Sequence, residues 1–270
     1  MEMNRVPRPR ADSSEESAPP PILSNSLMIF VAGLSTEYPA IHNNSKVEGW
    51  THVRTFSSKS ERLFGEKGSI ENLDDIVKEL LDFVLHSAAD IKDLSELSLG
   101  FMAADLGGMM VKRALLNALS LVKYREIYER TSLLAFFGTP HQESKVYSWE
   151  TTILSIIEDT YRGLWGPWFP DRIRQLSLYL EKLRLGFNNI SDKFRILNYV
   201  QDLLEPSSEV LTVHKSCAEL QGFNITNIRR NVTHCELTRF VEEPLAEDHV
   251  VKRIVDAQTY LSKGYRELIQ

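Results

Sequence analysis

Residues 101–115, FMAADLGGMMVKRAL, decide how this chain folds. An apolar run enters a turn of small residues, Ala103-Ala104-Asp105-Leu106-Gly107-Gly108, and leaves it as a helical pattern. Small residues on both sides of a central one let a strand and a helix approach closely and set the central side chain at the crest of the turn. That geometry presents a nucleophile, and the residue presented is Asp105.

The same alternation extends to either side. SLMIFVAGL, starting at Ser26, is a short apolar run closed by Gly33, as expected of a buried strand in a parallel sheet. THVRTFS is a second strand, and IENLDDIVKELLDFVLHSAAD has the apolar spacing of an amphipathic helix over residues 70–88. LSELSLGF leads into the turn, and TSLLAFFGTPH, FRILNYV and EVLTVHK supply three later strands. VVKRIVDAQTYLSKGYRELI closes the chain as a helix. Strands alternating with helices predict an α/β fold: a mostly parallel, doubly wound sheet with helices on both faces. Residues 26–270 read as one domain with a helical, lid-like insertion at about 142–192, where Trp165, Trp168 and Phe169 are broken up by Gly166, Pro167 and Pro170.

Composition narrows the function. A net charge of -6 without a basic cluster argues against nucleic acid as a partner. Cys217 and Cys235 are too few for a disulfide framework and lack metal-ligand spacing, so a reducing compartment is expected. Residues 1–25, rich in Pro, Ser, Glu and Arg, read as a disordered tail without a signal-peptide core. No run approaches the ~18 apolar residues of a membrane span. A cytoplasmic location follows as the expectation, and sequons such as Asn224-Ile-Thr carry no weight there. No metal and no cofactor are expected: His141 has no second ligand at a telling spacing, and Gly107-Gly108 lacks the context of a dinucleotide site.

The turn, together with three further stretches, resembles the α/β-hydrolase superfamily. LMIFVAGLS is similar to the first strand and oxyanion loop of these enzymes, with Ala32 in place of a histidine. LLAFFGTPHQES resembles the FxGTPHxGS signature of a lipase-like family that includes serine-active-site-containing proteins and the hydrolase domains ahead of fungal NACHT modules. VTHCELTRF resembles the late element that carries the family's catalytic histidine, which the resemblance places at His234. It also implies backbone oxyanion donors at Leu34 and Leu106.

The departures from that pattern bear on function. Asp105 stands where the family has serine and cannot form an acyl-serine. Where family members often have an acid, this chain has Gln201, with Asp202 beside it as the expected support for His234. Three roles are open to Asp105. As a nucleophile it would match the G-H-D-x-G-G turn of epoxide hydrolases and haloalkane dehalogenases, with Tyr161, Trp165, Trp168 and Tyr179 as candidate donors in the insertion. It can also cap the helix that follows, or form an ion pair with His234. The reading adopted is a degenerate hydrolase fold serving as a binding or regulatory pseudoenzyme, with a small-molecule or lipid-like ligand or a protein as its partner. A hydrolase using Asp105 as nucleophile and His234 as base is the alternative.

Overall fold

The computed structural model describes residues 26–33, 52–59, 61–91, 97–160, 166–204, 206, 209 and 211–239. The expected N-terminal tail and the closing helix lie outside these residues. Six strands form one sheet: β1 (Ser26–Val31), β2 (His52–Phe56), β3 (Ser98–Ala104), β4 (Thr131–Phe137), β5 (Arg195–Gln201) and β6 (Ile225–Arg230). The order is β2-β1-β3-β4-β5-β6, and every pairing is parallel. The chain runs outward from β1 to β2 and then returns to place β3 on the other side of β1. That reversal makes the carboxyl ends of β1 and β3 the switch point, where open α/β sheets form their ligand crevice.

Strand residues alternate between two cores. Leu27, Ile29, Val31, Phe101, Ala103, Leu134, Phe136, Ile196 and Val200 face the larger one. Met28, Phe30, Ala32, Met102, Ala104, Leu133, Ala135, Phe137, Leu197 and Tyr199 face the smaller. Burial on both faces explains why these strands read as continuous apolar runs. Each fully buried large side chain contributes about 1.5–3 kcal/mol.

The helices are α1 (Glu61–Phe64), α2 (Asn72–Ala89), α3 (Gly107–Ser120), α4 (Arg125–Arg130), α5 (Trp149–Thr160), α6 (Phe169–Asn188), α7 (Lys215–Ala218) and α8 (His234–Arg239). Residues of α1 to α7 enter the larger core, and α8 reaches the smaller one through Leu237. Among the described residues no helix is long and apolar enough to cross a membrane.

Two expectations need correction. EVLTVHK is not a strand over its described residues: Thr212 and Val213 are buried in a bend, and His214 caps α7 by accepting the Ser216 N–H. The sixth strand is instead ITNIRR, an edge strand of which only Ile228 is buried. The insertion is helical, but α5 and α6 are body rather than lid. Ile153 and Ile157 of α5, with Phe169, Ile173, Leu176, Leu180, Leu183 and Phe187 of α6, all belong to the larger core.

Candidate active site

Asp105 follows β3 in the turn with φ 51, the one non-glycine residue at positive φ among those described. Such a conformation is sparsely populated for a side-chain-bearing residue and persists only where its surroundings hold it. The neighbouring strand does this: Asp105 N–H donates to the Phe137 carbonyl at 3.0 Å, while its own carbonyl accepts from Thr139 Oγ1 at 3.0 Å and Gly108 N–H at 3.2 Å. Both glycines serve close packing. A Cβ on Gly107 would stand 2.6 Å from the Val31 carbonyl oxygen, and one on Gly108 would collide with Thr139. Asp105 does not cap α3, a role its residue type allowed: the first turn of that helix follows Leu106 and has no side-chain cap.

The carboxylate turns instead to the histidine. Asp105 Oδ1 and His234 Nε2 form a buried pair, with the two side chains 7% and 4% exposed. His234 opens α8, and its position is set by a capping box. Glu236 N–H donates to Thr233 Oγ1 at 3.2 Å while Thr233 N–H donates to Glu236 Oε2 at 2.9 Å. The sequence signal for that box is Thr233-His234-Cys235-Glu236.

Gln201, the last residue of β5 and 1% exposed, occupies the position of the supporting acid. Its amide nitrogen donates to the Leu203 carbonyl at 3.2 Å, so Oε1 faces the site. Oε1 accepts from Val213 N–H at 3.4 Å and from His234 Nδ1 at 2.9 Å. The Nδ1 proton is thereby fixed, and Nε2 is the ring nitrogen that faces Asp105 Oδ1.

The GTPH stretch supports both walls of this site. Gly138, at φ 58, lies against the imidazole: a Cβ there would be 2.6 Å from His234 Cε1. Thr139 holds the elbow, as described. His141 is 1% exposed and donates from Nε2 to Asn198 Oδ1 at 3.0 Å, since Asn198 Nδ2 is committed to the Ala218 carbonyl and Asn227 Oδ1. Its Nδ1 then accepts from Lys112 Nζ at 2.5 Å. Lys112, buried on α3, lies over the rings of Phe136 and Phe187. Burial lowers its pKa from 10.5 to about 7. Burial, and then the charge of Lys112, hold His141 well below its ordinary value. No sequence pattern marks this lysine.

The remaining expected residues fall elsewhere. Asp202 does not support His234: it forms an ion pair with Lys215, and its N–H donates to the Arg230 carbonyl. Trp168 is half-buried and donates from Nε1 to the Phe64 carbonyl at 3.2 Å, tying the start of α6 to α1. Tyr179 donates to Asp74 Oδ1 at 3.1 Å and packs on Arg113. Leu106 is buried directly after Asp105. Leu34, Tyr161 and Trp165 lie outside the described residues. Among the described residues no cluster of His, Cys, Asp or Glu is suited to a metal ion.

The strand order, the positive-φ elbow after β3 and the histidine after β6 define an α/β-hydrolase fold. No family model matches the chain. The chain is 31% identical over 172 residues to the Ankyrin repeat domain-containing protein SAT10 of Stachybotrys chartarum, a match covering 54% of this chain and 9% of that protein. The chain thus spans a small part of that relative's length. Similar solved structures include the meta-cleavage product hydrolase of Pseudomonas fluorescens IP01, with TM-score 0.47 and 10% identity over 88% of this chain and 92% of that one. Human thioesterase 2 gives TM-score 0.45 and 12% identity over 87% and 98%. The Bacillus licheniformis lipase BlEst2 gives TM-score 0.45 and 13% identity over 86% and 94%.

Proposed function

We propose that this chain is an α/β-hydrolase-fold module that has lost serine-esterase chemistry and acts as a binding or regulatory pseudoenzyme. The observation that carries this reading is the chain of contacts Asp105–His234–Gln201. Acyl transfer needs a hydroxyl or thiol nucleophile, a base free to take its proton, and a carboxylate to stabilise the imidazolium. Here a carboxylate stands at the elbow, its Oδ1 is bound to the histidine, and the support is a neutral amide. The similarity to a stretch of an ankyrin-repeat protein fits a module that serves a larger assembly.

One observation favours the second reading, an aspartate-dependent hydrolase. The elbow keeps its positive φ although Asp105 pays for it in conformational strain, and an elbow carboxylate is the nucleophile that opens epoxides and displaces halide. In that reaction a carboxylate oxygen attacks carbon, and His234 then activates water against the resulting ester. Asp105→Asn separates the two. It keeps the shape and removes the attacking charge, so the pseudoenzyme reading expects an unchanged background with ester, epoxide and haloalkane panels, and unaltered folding. A turnover present in the wild type and reduced by orders of magnitude in Asp105→Asn establishes the hydrolase.

A further inference from the structure

Away from the elbow, another histidine meets a nucleophilic side chain. His214 stands before α7 and accepts the Ser216 N–H at Nδ1, at 3.3 Å. The Ser216 hydroxyl lies 2.7 Å from the same nitrogen. A ring nitrogen that accepts an N–H carries no proton of its own, so the hydroxyl is the donor and its hydrogen points at a base. Both residues are half-buried, so neither is sealed in the core.

The surroundings hold this pair in place. Tyr147 stacks on the His214 ring, with centroids 4.5 Å apart and planes 19° from parallel. Gln142 Nε2 donates to the Ser216 carbonyl at 3.0 Å and to the Glu219 carbonyl at 3.4 Å, and Lys215 is tied to Asp202. Capping a helix uses the N–H contact alone. The shorter contact of the hydroxyl adds chemistry, since a serine hydrogen-bonded to an oriented imidazole is an activated nucleophile.

The same turn limits what the pair can do. Ser216 N–H is spent on Nδ1, and Cys217 N–H and Ala218 N–H both donate to the His214 carbonyl, at 2.8 and 3.0 Å. None of the three is free to meet an oxyanion, and without such donors an acyl-serine forms slowly and is not turned over. We propose that Ser216, with His214 as its base, is an acyl-acceptor site that takes the acyl group of an activated ester or thioester once and keeps it. In that step the bond from Oγ to the acyl carbon forms, and the bond from that carbon to the oxygen or sulfur of the leaving group breaks. The hydroxyl proton passes to His214 Nδ1 and on to the departing alkoxide or thiolate. Neither Asp105 nor His234 takes part, so the proposal stands whichever role the elbow has.

The test incubates the full chain with p-nitrophenyl butanoate and follows p-nitrophenol release, intact mass and peptide masses. A butanoyl adduct is expected on the peptide carrying Ser216, with a single burst of p-nitrophenol and no sustained release. His214→Asn keeps a good capping residue before α7 and removes the base, so labelling of Ser216 should slow about 100-fold or more at an unchanged Tm. Wild-type chain unfolded in urea should lose the labelling as well, which tests the folded geometry without any substitution. Absence of the Ser216 adduct, or a Ser216 labelling rate unchanged in His214→Asn or in urea, overturns the proposal. Sustained p-nitrophenol release that Ser216→Ala abolishes also overturns it, since the acyl group would then be turned over rather than kept.

Discussion

His234 and His141 are built on one plan with opposite partners, an acid and a base. Each ring is buried and gives one N–H to a side-chain amide oxygen, Gln201 for His234 and Asn198 for His141. Each turns its second nitrogen to a titratable side chain, Asp105 in one case and Lys112 in the other. The carboxylate closes the pair at the elbow. Burial, and then Lys112, hold His141 well below its ordinary value, and the ring relays hydrogen bonds between α3 and β5. The partner, rather than the ring, separates a site from a strut.

The sharpest way to break the comparison is to remove the amide of the strut. Asn198→Leu leaves His141, the Ala218 carbonyl and Asn227 without their partner inside the sheet. A loss of about 3–5 kcal/mol is expected in urea unfolding, from several unmet buried groups at once. A loss below about 1 kcal/mol would mean that the relay contributes little.

Lys112→Met tests the charge of the strut. The folded-state value of about 7 lies below the ordinary 10.5, so the unfolded chain binds more protons between those limits. Stability tied to Lys112 is therefore present above pH 10.5 and lost as the pH falls towards 7. Methionine removes that loss and also a hydrogen bond to His141. The variant should become the more stable one as the pH is lowered from about 10.5 to 7, by on the order of 2 kcal/mol at the lower end. A wild-type pH slope retained by the variant would place the charge effect elsewhere.

On the other side of the comparison the expected effect is smaller. Thr233→Ala breaks the capping box that seats His234 and should cost about 1 kcal/mol. It should also broaden the His234 ring signals in NMR spectra while leaving those of His141 unchanged. Equal broadening of both rings would mean that the two regions are not independent.

These two regions differ in how far they could be read in advance. The elbow was legible because its small residues have no other reason to cluster, and β1, β3, β4 and β5 were legible because burial on both faces demands unbroken apolar runs. β6 was not: an edge strand with one buried residue reads as a polar loop. EVLTVHK has the β-branched residues of a strand, yet Val213 spends its N–H on the Gln201 side chain. Asp202 was expected beside His234, but side chains alternate along a strand, and the one that reaches the ring is Gln201, one residue earlier. Lys112 sits in a helix where lysine ordinarily means solvent, and only the packing of Phe136 and Phe187 around it reveals the strut. Long-range partners of this kind leave no periodicity to detect.

The central claim is that Asp105 holds His234 in a closed pair and attacks nothing. Intact-mass spectrometry of the wild-type chain after incubation with a fluorophosphonate and with ester, epoxide and haloalkane panels tests it most directly. The account predicts an unmodified peptide around Asp105 under every condition, since that residue has no hydroxyl to phosphonylate and its Oδ1 is bound to the histidine. A substrate-derived ester on Asp105 that forms in the wild type and is absent from Asp105→Asn would contradict it.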